Sequence, residues 1–377
     1  MANPLPSRDW RSAEFPLPNE EEQFARIVER VAARVNETAA RANDKPRRGF
    51  HAKIHAGVMG EFTVLSDVPE AARYGVFAQP AVYPTFVRFS NGQSDLQPDT
   101  RPQPRGIALK LVGVPGGPEE RLDEARLATT QDFLATSHSL TSIVRDVVEF
   151  FDVLEVTEGD GGASRLDRLG TVLRHPIEAG RVAARLARDV IHPRVDSVAT
   201  EWYSSTAPIQ CGEYAVKFLI HPPPGVTAPP HPNDDDYLRR ELAGRLRAGD
   251  VRFEFSVQFF VDPEHTPVED TSVAWPEDFS PLYKVAELRV PRCDIESPEG
   301  VGLTAIVDQL SFFPWHGLSA HRPLGNVMRA RRLAYPRSAK IRTFLPEPTR
   351  VGGAEGLAGG GTAESLRASV RVAPTEP

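Results

Sequence analysis

Cysteine is nearly absent, with only Cys211 and Cys293 in a chain of 377 residues. Two thiols cannot make a disulfide framework or a thiolate metal cage, and both read as buried small apolar residues. No apolar run approaches the roughly 18 residues that a membrane-spanning helix needs. The opening Met1-Ala-Asn-Pro-Leu-Pro lacks a basic region followed by an apolar stretch, so no secretion signal is expected. Nor does one charge dominate: 44 Lys and Arg against 51 Asp and Glu leave a net charge of −7. That balance gives no footprint for general nucleic-acid binding. These absences together predict a soluble, cytoplasmic protein with no nucleic-acid partner and no membrane span. Composition neither requires nor excludes a homo-oligomer.

Proline is abundant instead. The chain holds 35 prolines, about 9% against an ordinary share of about 5%. Such a density disfavours long helices and a parallel doubly wound sheet, and favours short strands with many corners. Residues 1–18 read as a polar arm. Glu20 to Ala42 then sets Phe24, Ile27, Val28, Val31 and Val35 at helical spacing, with acids first and Arg41 late, as the helix dipole favours. Gly60 to Val64, Phe86 to Ser90 and Gly106 to Val112 are strand-like runs split by Gly and Pro. Residues 142–191 read as mainly helical. A second set of strands follows in Tyr214 to Ile220, Phe253 to Val261 and Lys284 to Val290, and a last helix from about Asn326 to Arg342. Beyond Thr349 the chain turns to glycine and alanine, including Gly359-Gly-Gly361, and reads as disordered. The organisation expected is an N-terminal arm and helix (1–45), a core (46–345) and a tail (346–377).

Familiar catalytic signatures are missing as well. There is no His-Glu-x-x-His zinc spacing, no Gly-x-Ser-x-Gly elbow and no phosphate-cradling loop. What remains is a constellation spread along the chain: Arg48-x-x-His51-Ala-Lys53, Arg88-Phe-Ser90, Pro104-Arg-Gly106 and Arg331-x-x-x-Tyr335-Pro336. Singly, each reads as an ordinary half-buried imidazole, a strand arginine or a packed ring.

In this order the segments resemble the haem catalase superfamily, where Arg-x-x-His-Ala carries a distal histidine, Val-Arg-Phe-Ser and Pro-Arg-Gly-Phe-Ala-x-Lys follow, and a far downstream Arg-x-x-x-Tyr supplies the proximal haem ligand. The counterparts here are Arg48-Gly-Phe-His51-Ala-Lys53, Val87-Arg-Phe-Ser90, Pro104-Arg-Gly-Ile-Ala-Leu-Lys110 and Arg331-Arg-Leu-Ala-Tyr335. The likeness extends to the short bacterial catalase-like proteins, which share Asp-Phe-Leu (Asp132 to Leu134) and Pro-Trp-His…His-Arg-Pro-Leu-Gly (Pro314 to Gly325). It covers about Arg47 to Arg342.

The resemblance implies an α+β fold, a closed antiparallel β-barrel of catalase type with surrounding α-helices. It implies haem b between distal His51 and proximal Tyr335, whose phenolate would be the axial ligand of the iron. Arg331, four residues before Tyr335, would face the ring and favour the anion, whereas Arg332 would point elsewhere. Arg48 and Arg88 would suit the haem propionates, His51 would shuttle a proton between the two peroxide oxygens, and Ser90 would orient the His51 ring. The implied activity is a haem-dependent oxidoreductase consuming hydrogen peroxide or an organic hydroperoxide, with a small organic co-substrate if it peroxidises.

Two departures stand out. The family's distal asparagine falls at Ser137, or at His138 if the offset is one. Losing a positioned donor costs roughly 3 kcal/mol of transition-state stabilisation, which puts fast dismutation in doubt. An extra residue between His51 and Gly60 leaves His55 as a rival distal base; His51 is favoured because only it stands three residues after an arginine. Two other functions share the resemblance: a lipid hydroperoxide isomerase or lyase, and a haem-binding protein with little catalysis.

Overall fold

Alternating burial takes over where the helical spacing of the N-terminal segment ends. The computed structural model describes residues 5–42, 46–101, 103–137, 144–151, 195–230, 232–342, 345, 347–350 and 371–372. Strands β1 (Ile54–Val64), β2 (Ala81–Asn91), β3 (Arg105–Val112) and β4 (Thr130–Thr136) form one antiparallel meander. Strands β5 (Tyr203–Ser204), β6 (Ile209–Cys211), β7 (Tyr214–His221), β8 (Val251–Phe259) and β9 (Tyr283–Val290) form a second. β1 pairs with β9, and β5 bridges β4 to β7, so eight strands close on themselves while β6 extends the β7 hairpin. Closure removes the free edges an open sheet would expose. The expected closed antiparallel barrel is the observed one.

Because successive strand residues face opposite sides, one set fills the barrel. Phe62, Phe133, Phe218 and Phe255 meet there with ring centroids 5.0–6.2 Å apart, alongside Val87, Phe89, Ile107 and Ala135. The alternate set faces outward: Phe86 and Ala108 pack beneath helix residues Val307 and Leu303 rather than in the barrel.

Helices α1 (Glu20–Ala42), α2 (Tyr237–Ala248), α3 (Pro298–Gln309) and α4 (Asn326–Ile341) surround the barrel. α3 starts with Ser297 accepting from the Gly300 N–H at 3.1 Å and with Pro298 in its first turn. It lies directly on β1, where a Cβ at Gly57 would sit 2.5 Å from the Val307 Cβ; glycine permits the approach. α1 packs on α4 through Phe24, Ile27, Val31, Ala330 and Ala334. At the start of α4, Arg329 is caged by Glu14, Glu20 and Glu269 at 2.7–3.6 Å. The N-terminal segment is sewn in as well, with Trp10 fully buried and its Nε1 donating to the Glu213 carbonyl at 2.8 Å.

Cys211 is buried as expected, whereas Cys293 is only half-buried. No described helix is long and apolar enough to cross a membrane. Of the segment expected to be helical, 147–151 is helical, and 142–143 and 152–191 lie outside the described residues. In the tail, Pro348–Arg350 pairs with Arg371–Val372, while 351–370 and 373–377 lie outside the described residues.

Candidate active site

The chain enters β1 through a bend at His51, whose φ of 57° lies in the left-handed region that few non-glycine residues adopt. The His51 N–H donates to the Gly92 carbonyl at 3.0 Å, which pins the bend to the end of β2. The ring Nδ1 then lies 3.2 Å from Ser90 Oγ. Ser90 is paired with Gly106 across β2 and β3. A Cβ on Gly106 would come within 2.4 Å of Nδ1 and 2.5 Å of Cε1, so the imidazole occupies space that only glycine leaves free.

Arg88, two residues before Ser90 on the same strand, donates to the His51 carbonyl at 2.8 Å and to Asp308 Oδ1 at 3.0 Å. Arg48 donates to the Asp308 and Leu310 carbonyls at 3.0 and 2.7 Å. Those acceptors end α3, where the helix dipole favours a cation. Arg342, just past α4, lies within electrostatic reach of Arg88, Asp308 and Tyr335. Arg48 and Arg88 therefore share one half-exposed carboxylate, with a third guanidinium nearby. Burial first, then Arg88 and Arg342, holds Arg48 well below the usual arginine range, and burial with Arg88 pushes Arg342 down to about 10. The buried Nε atoms of Arg48 and Arg342 have no hydrogen-bond partner. Uncompensated buried cations with spare donors are a site for an anionic group.

On α4, Arg331 Nη2 donates to Tyr335 Oη at 2.5 Å, with its guanidinium carbon 4.9 Å from the ring centroid. Arg332 instead turns to Trp315 and Glu124. The Phe313 ring stacks on Tyr335 at 5.7 Å and 22°. His51 is pushed down to about 3, by burial first and then by Arg88, Arg331 and Arg48. Its imidazole is therefore neutral at physiological pH and able to accept a proton.

The structure thus gathers His51, Ser90, Arg48, Arg88, Arg331 and Tyr335 into one region, with Arg88 and Ser90 buried and the others half-buried. Ser137 has other partners. Its N–H donates to the Arg105 carbonyl at 2.7 Å, and its Oγ accepts from the Arg105 N–H at 2.8 Å. These partners lie outside the arginine–Tyr335 cluster. His138 lies outside the described residues. His55 is fully buried on β1, with Nε2 2.8 Å from Asn91 Oδ1 and Nδ1 facing Asp99, a setting separate from the arginines around His51.

Asp308, Phe313, Arg342 and Gly106 were not anticipated in these positions. Arg342 stands seven residues after Tyr335, two helical turns on, and that spacing was the available signal. Gly106 already stood in Pro104-Arg-Gly106, without a stated reason for being glycine.

The barrel and its outer-face site can be set beside known proteins. No family model matches the chain. A catalase-related peroxidase of Mycolicibacterium paratuberculosis is 28% identical over 310 residues, covering 78% of this chain and 89% of that protein. A bacterial catalase structure superposes with a TM-score of 0.58 at 18% identity, over 82% of this chain. Catalase A from Saccharomyces cerevisiae gives 0.60 at 16% identity, covering 87% of this chain and 71% of its own length. The chain has the fold of these catalases and is similar in sequence to the catalase-related peroxidase. It spans 60% of the length of the bacterial catalase it matches. Members of the superfamily generally bind haem, and this catalase-like chain has a donor set that fits one. Spare guanidinium N–H groups are placed to meet carboxylates, and a phenol held by an arginine offers an oxygen ligand.

Proposed function

We propose that the chain is a haem peroxidase of catalase type, an oxidoreductase acting on hydrogen peroxide or organic hydroperoxides. The observation that carries this reading is the neutral, half-buried His51 held by Ser90 and Gly106 beside Arg88 and the Arg331–Tyr335 pair. Bound haem b would supply the iron at which the peroxide oxygen–oxygen bond is broken.

The chain's own groups divide the remaining work. Tyr335 Oη would hold the iron, with Arg331 Nη2 donating to that oxygen at 2.5 Å. Arg48, Arg88 and Arg342 would receive the propionates, satisfying the unpartnered Nε atoms of Arg48 and Arg342. His51, starting neutral, takes the proton of one peroxide oxygen at its free ring nitrogen and returns it to the other. Ser90 and Gly106 fix the plane of that ring, so the proton moves along one direction.

Engagement of the Ser137 Oγ by the Arg105 N–H favours peroxidation with a small organic co-substrate over rapid dismutation. The same observation favours, as a second reading, a haem-binding protein with little catalysis. The scarcity of cysteine supports a cytoplasmic location.

The deciding experiment is the visible spectrum of protein made in haem-supplied cells, followed by peroxide consumption with and without an organic reductant. A stoichiometric ferric tyrosinate band and reductant-dependent consumption are expected. A colourless protein that refuses added haemin overturns the reading, and bleaching by peroxide without turnover moves it to the second.

A further inference from the structure

Three motif segments have no part in the cluster around His51: Lys110, Asp132 and Pro314-Trp-His316. The structure assembles them behind Tyr335. Lys110 Nζ donates to both oxygens of Asp132 at 2.7 and 3.0 Å and to Glu347 Oε2 at 2.8 Å. The Lys110 and Asp132 side chains are both fully buried. Asp132 Oδ2 also accepts from the Phe313 N–H at 2.8 Å, and the Asp132 N–H donates to the His316 carbonyl at 2.9 Å. Asp132 therefore grips the Phe313–His316 turn at both ends. From the same turn, Trp315 Nε1 donates to the Met328 carbonyl of α4 at 2.7 Å, and the Phe313 ring stacks on Tyr335.

We propose that Asp132, held by Lys110, is a positioning residue for Tyr335: it fixes the Phe313 ring as the backstop that sets the plane of the phenol. The Arg331 contact restrains the phenol oxygen at one point, and a plane needs a second restraint, which the stacked ring supplies. A lysine buried against carboxylates is costly to desolvate, and an apolar pair would join β3 to β4 more cheaply. An apolar pair could not accept the Phe313 N–H. The consequence for haem rests on the reading of Tyr335 as its ligand, whereas the geometry does not.

The test labels the protein with 3-fluorotyrosine and follows the fluorine spectrum, identifying the Tyr335 line among seven tyrosines by its loss in Tyr335→Phe. Phe313→Leu removes the ring and keeps the ion pair; Asp132→Ala removes the acceptor; Asp132→Asn returns one oxygen to the Phe313 N–H. The Tyr335 line is expected to move and broaden in the first two and to recover most of its position in the third. Haem transfer from the loaded protein to an acceptor apoglobin should quicken about tenfold in Phe313→Leu and Asp132→Ala. A Tyr335 line unmoved in Phe313→Leu and Asp132→Ala overturns the proposal. If Asp132→Ala does not fold, an unmoved line in Phe313→Leu is enough to overturn it. A line that moves while the haem spectrum and transfer rate stay at wild type upholds the positioning and refutes Tyr335 as ligand instead.

Discussion

Gly106 lies so close to His51 that an added methyl group would sit 2.4 Å from the ring Nδ1. Ser90 holds the same nitrogen from the neighbouring strand, so the imidazole is wedged between a hydroxyl and a bare backbone. Gly106→Ala should push the ring off this seat while leaving Tyr335 and the arginines in place. Turnover with peroxide is expected to fall about 10- to 100-fold, the range for disturbed supporting contacts, with haem content unchanged. Steady-state kinetics and the haem-to-protein absorbance ratio check both halves.

Acid stability follows from buried histidines. His51 is pushed down to about 3, and His55, His316 and His321 to about 4, in each case chiefly by burial. A depressed folded pKa means that the unfolded chain takes up a proton first. The stability each group contributes is full above about pH 6.5 and is lost as pH falls toward 4, by up to about 1.4 kcal/mol per pH unit. Asp132 and Glu201, pushed up to about 7 by burial, act in the opposite direction over about pH 4 to 7. Four groups outweigh two, so the melting temperature should drop as pH is lowered from 6.5 to 4.5. A Tm that rises across that range would contradict the burial of these rings.

Arg329 anchors the helix that carries Arg331 and Tyr335. Its guanidinium meets Glu14, Glu20 and Glu269 at a site that is mostly out of water. Removing one partner of a buried ion cluster leaves the rest uncompensated and costs about 3–5 kcal/mol. Arg329→Ala is therefore expected to lower Tm strongly and to free the N-terminal segment, since Phe15 and Gly325 are tied to the same carboxylates. Thermal melts and limited proteolysis near residue 15 read the two effects.

Arg342 offers a cleaner handle on the cofactor, because it is an arginine with an unpartnered buried Nε and no part in the strand ladder. Arg342→Glu replaces a cation by an anion where a propionate is expected. Haem loss should quicken about 10- to 100-fold while the melting temperature of the haem-free protein changes little. Equal retention of haem in the variant would take Arg342 out of the site.

Legibility in the sequence followed locality. α1 runs Glu20–Ala42 as its apolar spacing predicts, and the strand-like runs Phe86–Ser90, Gly106–Val112, Tyr214–Ile220 and Lys284–Val290 lie within β2, β3, β7 and β9. α2 and α3 went unread. α3 contains Gly300 and Gly302, which weaken a helix, and it forms because Ser297 and Pro298 start it and β1 covers it. α2 carries its stripe of Leu238, Leu242 and Leu246 among many charges and after a proline-rich stretch. At the site, ordered motifs pointed to His51, Ser90, Arg48, Arg88, Arg331 and Tyr335. Asp308 meets Arg48 and Arg88 across more than 200 residues of chain, a contact no local pattern encodes. Ser137 shows the converse: its position after Asp-Phe-Leu suggested a peroxide donor, but the register of β3 and β4 hands its hydroxyl to Arg105.

The two histidines near the start of the barrel provide the sharpest contrast. His51 is half-buried and neutral, with arginines and the Arg331–Tyr335 pair around it. His55 is enclosed, with one ring nitrogen on Asn91 and the other facing Asp99. A positioned general base contributes about 100-fold or more to a proton transfer. His51→Ala should therefore keep haem and fold but lose at least that much peroxide turnover. His55→Ala should instead lower Tm, because it leaves a cavity and takes the His55 partner from Asn91 Oδ1, with turnover per folded molecule near wild type. Measuring both variants together assigns the role: if His55→Ala is the one that loses turnover at full haem content, the left-handed bend at His51 serves the fold and the proton moves elsewhere.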